Sequence, residues 1–498
     1  MAGAIQIHAE NPKLFAFRGK PLVLVTATEH YGAVINRPFD MAAYLHDAAA
    51  QGITLTRLFT LFRELQTPIN PYSTCKPETP DFVTPFLRTG PGRAQDRELK
   101  FDLDQRNPEF YERLHRFLTL ASELGIVVEI VLFSNTYSPD VWSLNPLNTR
   151  NNVNGVEEIE WPDYLSQRHP KLLAYQLAHL RAIMSETNGY DNVIYEICNE
   201  PGGNVAGGKY PSCDEVNAWL AAMIATVREL EAGLPYQHLI AGQEAFAYDP
   251  FVQGSDLSFQ QLDYDVVNVH PLPSTTYGGK VYEMGQFMSK QLALRPLRDY
   301  CLATYHEPRP LNQDEDNIAS QYKDEEAWTI HRKRAWTTLL SGAHYDYIDF
   351  SITIYTPTGT VASSRMIRSW MKHLATFIHS FDLAQARPLL GITSAPAHTL
   401  DVTFGVEGED LCVYLADERE LPAARDLPDG ATGDPNAGAP INGTLVLKLA
   451  AAAYRVTYFD PSRGLYSPAT TIQGGDQSEI ALPEFVHDLA IRLTRLPT

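Results

Sequence analysis

The chain has 498 residues, 44% of them hydrophobic and 20% charged, which excludes intrinsic disorder, collagen and coiled coil. No uncharged apolar run approaches the roughly 18 residues that a membrane helix needs. With 60 acids against 40 bases the net charge is −20, which disfavours nucleic acid and anionic lipid as partners and fits a neutral polar ligand.

Residues 1–6 are too short and mixed to read as a signal peptide. Cys75, Cys198, Cys213, Cys301 and Cys412 stand far apart, in an odd number and without metal-site spacing. That usage reads as reduced and cytoplasmic, with a secreted or periplasmic location open to a chain whose leader has been removed.

Residues 5–20 alternate and turn at Asn11-Pro12 and Arg18-Gly19, predicting an N-terminal hairpin over residues 1–20. A repeating rhythm follows, in which short apolar runs alternate with stretches of helical spacing. Strands are expected over 22–27, 53–59, 126–133, 193–198, 239–242, 266–270, 300–306 and 347–352. Helices are expected over 40–50, 109–124, 172–186, 214–231, 283–292, 325–340 and 361–379, with a weak one near 255–262. Eight such units in series, with no GxGxxG or phosphate-binding loop, predict an α/β fold: a (β/α)8 TIM barrel over 21–385. Beyond it, short strands over 398–404, 410–415, 443–449, 454–459 and 489–493 are separated by turn signals. They predict a C-terminal all-β, sandwich-like domain over 386–498. Packing against the barrel is the default expectation, with the N-terminal hairpin and the C-terminal strands closing the barrel bottom together; glycan binding and homo-oligomer formation are the alternatives.

Barrel catalysis occurs at the C-terminal ends of the strands. By that rule His30 and Tyr31 end strand one, Asn135 follows strand three, Asn199 and Glu200 end strand four and His270 ends strand six. Glu200 and Glu307 each follow an apolar run and precede a proline, which stops the strand. From strands four and seven the two carboxylates would face each other across the mouth. A pair about 5 Å apart suits double-displacement glycoside cleavage. Arg57, inside the apolar run 55–59, needs an acidic partner, and Glu307 is the expected one. Glu244 and Glu29 are weaker rivals to Glu307. Asp314-Glu315-Asp316 lacks a calcium-loop pattern and reads as a solvated loop and helix start. Trp336 and Trp370 stand at helical spacing and read as core.

The run Tyr195-Glu196-Ile197-Cys198-Asn199-Glu200-Pro201 closely resembles the strand-four motif of clan A glycoside hydrolases, retaining (β/α)8 enzymes that include the cellulase-like family 5. The resemblance covers roughly residues 20–380. It implies that Asn199 bonds the sugar 2-hydroxyl, that Glu200 is the acid/base and that Glu307 is the nucleophile. It matches Arg57 and His270 to the clan's strand-two arginine and strand-six histidine, and it offers Tyr277 as a hydroxyl donor to the nucleophile. The clan often places a tryptophan on strand eight, and residues 347–355 hold none. Tyr355, Trp142 or Trp161 would then floor the sugar site.

The expected function is hydrolysis of β-linked oligo- or polysaccharides, without cofactor or metal. A non-catalytic carbohydrate-binding barrel and a transglycosylase are the alternatives. The long stretch 61–105, with Tyr72, Phe82, Phe86 and Arg88, is expected to wall the cleft. The sugar, its linkage and exo or endo action are not legible.

Overall fold

A computed structural model describes residues 3–28, 32–61, 81–203, 210–247, 259, 261–270, 275–282, 294–316, 325–348, 361–419, 434 and 436–497. Eight segments, most of them β-branched or apolar runs, form parallel strands: β1 (Val25–Thr28), β2 (Leu55–Phe59), β3 (Val127–Ser134), β4 (Val193–Asn199), β5 (Ile240–Gly242), β6 (Val266–Val269), β7 (Leu311–Asp316) and β8 (His344–Ile348). They pair in the order β1-β8-β7-β6-β5-β4-β3-β2. The remaining gap is bridged because the Thr54 amide donates to the Val25 carbonyl (3.0 Å) and the Val25 amide to Thr54 Oγ1 (2.9 Å). The ring is therefore a (β/α)8 barrel of the TIM type.

Helices α1 (Met41–Ala50), α2 (Pro108–Glu123), α3 (Pro170–Thr187), α4 (Cys213–Glu231), α5 (Leu294–Thr304), α6 (Glu325–Leu340) and α7 (Val361–Ile378) surround it among the described residues. Local chemistry sets their ends. Asn107 caps α2 by accepting from the Glu109 amide, with Pro108 at the first position, and Ser212 with Glu215 forms a capping box on α4. On α2, Phe110, Leu114, Phe117, Leu118 and Ala121 make one buried face against the sheet.

The seventh unit departs from the sequence reading. Residues 300–306, expected as a strand, are the end of α5 and the turn after it, and the strand follows at Leu311–Asp316. Leu294, Leu297, Tyr300, Cys301 and Thr304 are the buried positions of α5, a helical spacing that the contiguous run Tyr300 to Ala303 conceals. Asp314-Glu315-Asp316 is consequently a buried strand end and not a solvated loop. Strand eight starts three residues earlier than expected. The expected helices near 283–292 and 255–262 lie almost wholly outside the described residues.

The barrel interior is layered. Leu55, Val127, Ile194, Ala241 and Val266 form an apolar floor with Leu24, and the N-terminal hairpin brings Ile5, Phe15 and Phe17 beneath it. The hairpin strands Phe15–Phe17 and Lys20–Leu22 turn at Arg18-Gly19, both with positive φ. Lys13 fastens this cap by donating to the carbonyls of Thr304, Glu307 and Arg309. Side chains alternate along a strand, so the next inward positions stand two residues on. They are Arg57, Glu129, Glu196 and Asn268, joined by Asp314 and Asp346, all buried. A charged layer thus lies directly under the mouth.

The stretch after β2 carries an antiparallel hairpin, Phe86–Arg93 with Leu99–Arg106. Phe82 and Phe86 are buried, while Arg88 pairs with Asp96 and covers the Phe101 ring; Tyr72 lies outside the described residues.

The C-terminal strands form a seven-stranded antiparallel sheet, which contains Thr399–Val406, Asp410–Asp417, Asp488–Arg495 and Ala453–Asp460. A second sheet of Ile392–Ser394, Ile441–Leu447 and Ser478–Phe485 accompanies it. Val413, Leu415, Leu445, Ile480 and Ile491 fill the space between. This module packs against α6 and α7, while Arg298 and Arg295 of α5 reach Asp401 and Glu418, and Asn11 of the N-terminal cap donates to the Ala386 carbonyl. Trp336 stacks on Tyr414 (5.3 Å) and meets Phe377 and Phe459, and Arg332 forms a buried ion pair with Asp488. Trp336 and Trp370 are fully buried.

Candidate active site

Two glutamates at neighbouring rims of the mouth have backbones that only glycine adopts freely. Glu200, directly after β4, has φ +46, and Glu315, in β7, has φ +60. At β7 the pairing with β8 shifts register between Gln313 and Asp316. Such a bulge breaks the alternation of faces, so consecutive residues Asp314 and Glu315 both reach Arg57.

Arg57 is the hub. Its Nη1 donates to Glu315 Oε1 (2.5 Å), while Nη2 donates to Glu196 Oε2 (2.5 Å) and Asn199 Oδ1 (2.9 Å). The fork of a guanidinium fits several acceptors at once. His270 bridges the two rims: Nδ1 lies 2.8 Å from Glu200 Oε1 and 3.5 Å from Glu315 Oε2, and Nε2 lies 3.3 Å from Asp314 Oδ2. The Tyr137 hydroxyl donates to Glu200 Oε2 (2.7 Å) and accepts from Asn199 Nδ2 (2.8 Å). Oxygen and nitrogen atoms of Glu200, His270 and Glu315 lie within 4.8 Å of one another, and so do those of Glu129, Glu196 and Asp314. Arg57 and His270 supply the positive charge for both groups.

Burial and charge set the protonation. Desolvation pushes Glu129 well above the usual carboxylate range, helped by Asp314 and Glu196, and does the same to Asp346, helped by Asp314. Glu196 is pushed up to about 7 by burial, with Arg57 opposing. Burial acts on Asp314 in the same sense, but Arg57 and His270 outweigh it and hold its carboxyl below the usual range. His270 loses solvation too, yet Glu315, Asp314 and Glu200 raise its pKa well above that of an ordinary imidazole.

A stability consequence follows. Glu129, Glu196 and Asp346 bind protons in the folded chain that the unfolded chain releases above its ordinary carboxylate range. Their contribution is complete below about pH 4.5. It is lost as pH rises, for Glu196 through about 7. The urea midpoint should therefore fall between pH 5 and pH 7; a midpoint that rises across that window contradicts the protonated layer.

Arg57, Asn199, Glu200 and His270, expected from the sequence, meet here. Glu307 does not. It stands between α5 and β7, where its carbonyl accepts from Lys13 of the N-terminal cap, so it belongs to the opposite, N-terminal end of the barrel. Four strand steps from Leu311 to Glu315 cover about 13 Å. Glu307 is therefore not the partner of Arg57, which bonds Glu315 and Glu196 instead. Tyr277 goes with Glu307: it lies in the hairpin Thr275–Tyr277 with Lys280–Tyr282, against Tyr300 of α5, and its hydroxyl donates to Glu307 far from the mouth. Asn135 is buried beside the site and its Oδ1 accepts from the Tyr137 amide (3.3 Å). Trp142 is core, packed on Tyr164 with its indole N–H on the Ile159 carbonyl, so it floors no sugar site. Trp161 is half-buried. His30, Tyr31, Tyr355 and Glu29 lie outside the described residues.

Sequence reasoning missed Glu315, Asp314 and Tyr137 as site residues. Once 294–304 is read as a helix, Pro310 marks the next strand start and Glu315 becomes its rim residue. For Tyr137 the signal was position alone, three residues past β3.

The family model described as Cellulase (glycosyl hydrolase family 5) matches residues 26–335, more than half of the chain. No curated protein matches. A solved structure described as a glycoside hydrolase superposes with a TM-score of 0.62 at 11% identity, covering 99% of this chain and 97% of its own. A family 5 glycoside hydrolase from Bacteroides vulgatus gives 0.61 at 11% identity, with 99% and 94% covered. The endo-1,4-beta-mannanase from Rhizomucor miehei gives 0.52 at 12%, covering 76% of this chain and all of its own. At such identities the superpositions speak for the fold alone, whereas the family match spans β1 to α6 and both rim glutamates: the chain belongs to glycosyl hydrolase family 5 and is a glycoside hydrolase.

Proposed function

We propose that the protein cleaves β-linked saccharides with retention of anomeric configuration, Glu315 acting as nucleophile and Glu200 as acid/base. The observation that carries this reading is the approach of the two carboxylates to within 4.8 Å. Retaining pairs stand about 5–5.5 Å apart, and inverting pairs about 6.5–9.5 Å, to admit a water. The division of roles rests on surroundings. Glu315 is nearly buried against a guanidinium, which favours the ionised, attacking form. The Glu200 side chain keeps 24% of its surface exposed, which leaves it open to a leaving group and to water, as an acid/base requires. Asn199, locked by Arg57 and Tyr137, orients both.

Glu315 attacks the anomeric carbon while Glu200 protonates the leaving oxygen; water deprotonated by Glu200 then releases the sugar. Proton NMR of the first-formed hemiacetal, on 4-nitrophenyl β-D-glucoside and β-D-mannoside, tests this: the β anomer should appear first. First appearance of the α anomer refutes double displacement.

A further inference from the structure

The reaction uses Glu200 and Glu315, and it leaves the acids beneath them without a task. Among the described residues of that layer, Asp314 bonds both Arg57 and His270. It is fully buried, one residue before Glu315, and its Oδ2 lies 3.3 Å from Arg57 Nη2, 3.2 Å from Asn268 Nδ2 and 3.3 Å from His270 Nε2. Anchored from β2 and β6, it has no freedom to swing away. The imidazole thus has a carboxylate against each nitrogen, Glu200 on one side and Asp314 on the other.

We infer that Asp314 is a positioning residue: it holds His270 with Nε2–H turned towards itself and Nδ1 turned towards Glu200, so that Glu200 and His270 share the proton that the reaction spends and recovers. The inference rests on Glu200 being the acid/base. In the first step the C–O bond to the leaving group breaks, Glu315 bonds the anomeric carbon, and the shared proton passes to the leaving oxygen. In the second, water attacks that carbon, the bond to Glu315 breaks, and the water's proton returns to the pair. Asp314 stays ionised throughout and neither gains nor loses an atom.

The charged groups facing His270 among the described residues come from three strands. Glu200 ends β4, Asp314 and Glu315 belong to β7, and Arg57 reaches over from β2. Behind Asp314 stand Asp346 of β8, Glu196 of β4 and, through Asn268, Glu129 of β3 (2.6 Å). Burial and the neighbouring Asp314 push the Asp346 carboxyl well above the usual carboxylate range, which favours its neutral form. Asp314 is hence the buried anion against Nε2, and it joins Glu315 and Glu200 in keeping the ring below Glu200 charged.

The test compares pH profiles of kcat/KM for the parent chain, Asp314→Asn, Asp314→Glu and Asp346→Asn. The substrates are 4-nitrophenyl and 2,4-dinitrophenyl β-glycosides of whichever sugar, glucose or mannose, the parent cleaves faster. Removing the anion should move the alkaline limb about one pH unit lower in Asp314→Asn. The same variant should lose about tenfold more on the nitrophenyl than on the dinitrophenyl substrate, whose leaving group needs little protonation. Asp314→Glu should bring the limb back towards the parent's, and Asp346→Asn should leave it in place. Coincident limbs for the parent and Asp314→Asn, or equal losses on both aglycones, overturn the inference. A second measurement needs no variant: 15N NMR of the parent should show His270 still doubly protonated where an ordinary imidazole has lost its proton, and a ring that titrates in the ordinary histidine range sinks the proposal. That spectrum judges Asp314 even if Glu200 proves not to be the acid/base, so the two failures are separable.

Discussion

Glu315→Gly should abolish hydrolysis, with kcat/KM falling by about 10⁴-fold or more, because the proposed covalent intermediate forms on the carboxylate that this change removes. The same variant gives the sharpest sign of its role. Azide entering the space left by the carboxylate should restore cleavage of a dinitrophenyl glycoside and yield a glycosyl azide. Glu307→Gln is the companion. Glu307 sits beside the N-terminal cap with Tyr277, so its loss should change kcat/KM by less than about twofold. If Glu315→Gly turns over normally while Glu307→Gln is dead, the assignment of the nucleophile is reversed and the geometry of the mouth has been misread.

The second large effect is on stability. Arg57 is buried among Glu196, Asp314 and Glu315, with Glu129 close by. Burial alone would discharge it, but those carboxylates keep it ionised well above the ordinary arginine value. Arg57→Met keeps the bulk and deletes the cation, leaving buried anions uncompensated. Breaking a buried pair in this way costs about 3–5 kcal/mol. Urea denaturation followed by tryptophan fluorescence should show an earlier transition of that size, and activity should vanish in the same variant. Arg57→Lys should recover only part of either. An ammonium is a point donor and cannot span Glu315, Glu196 and Asn199 together. An unchanged midpoint in Arg57→Met would mean that the acids hold enough protons to stand without it.

Much of the barrel was legible because most of its strands are apolar by necessity. β3 and β4 are covered by helices outside and packed inside, so residues 127–134 and 193–199 read as strands without a fold in view. The place of Glu200 at the mouth followed from that, as a polar residue just past a clear apolar run. β7 broke the rule. Its sequence, Leu311-Asn312-Gln313-Asp314-Glu315-Asp316, is polar from its second residue, yet every position is buried. Hydropathy assigns such a run to solvent, because it cannot see that the compensating charges come from Arg57, His270 and Arg334 on distant segments. The apolar end of α5 then stood in for the missing strand, and Glu307 for the missing glutamate. The same blindness hid the charged layer: Glu129 and Glu196 lie inside apolar runs, where a lone acid looks like an interruption and not like a member of a network. Strand Ser478–Phe485 escaped notice for a different reason. Its buried residues alternate with exposed ones over a short, turn-rich stretch, so no apolar run marks it.

The aromatic seat shared by Trp336, Phe377, Tyr414 and Phe459 makes the two halves poor candidates for exchange. A barrel expressed without its β partner would bare a greasy socket and strand Arg332 from its counterion, inviting aggregation. Chimeras that swap accessory units onto this catalytic body need a graft that brings a matching tyrosine, phenylalanine and aspartate, since a flexible tether supplies none of them.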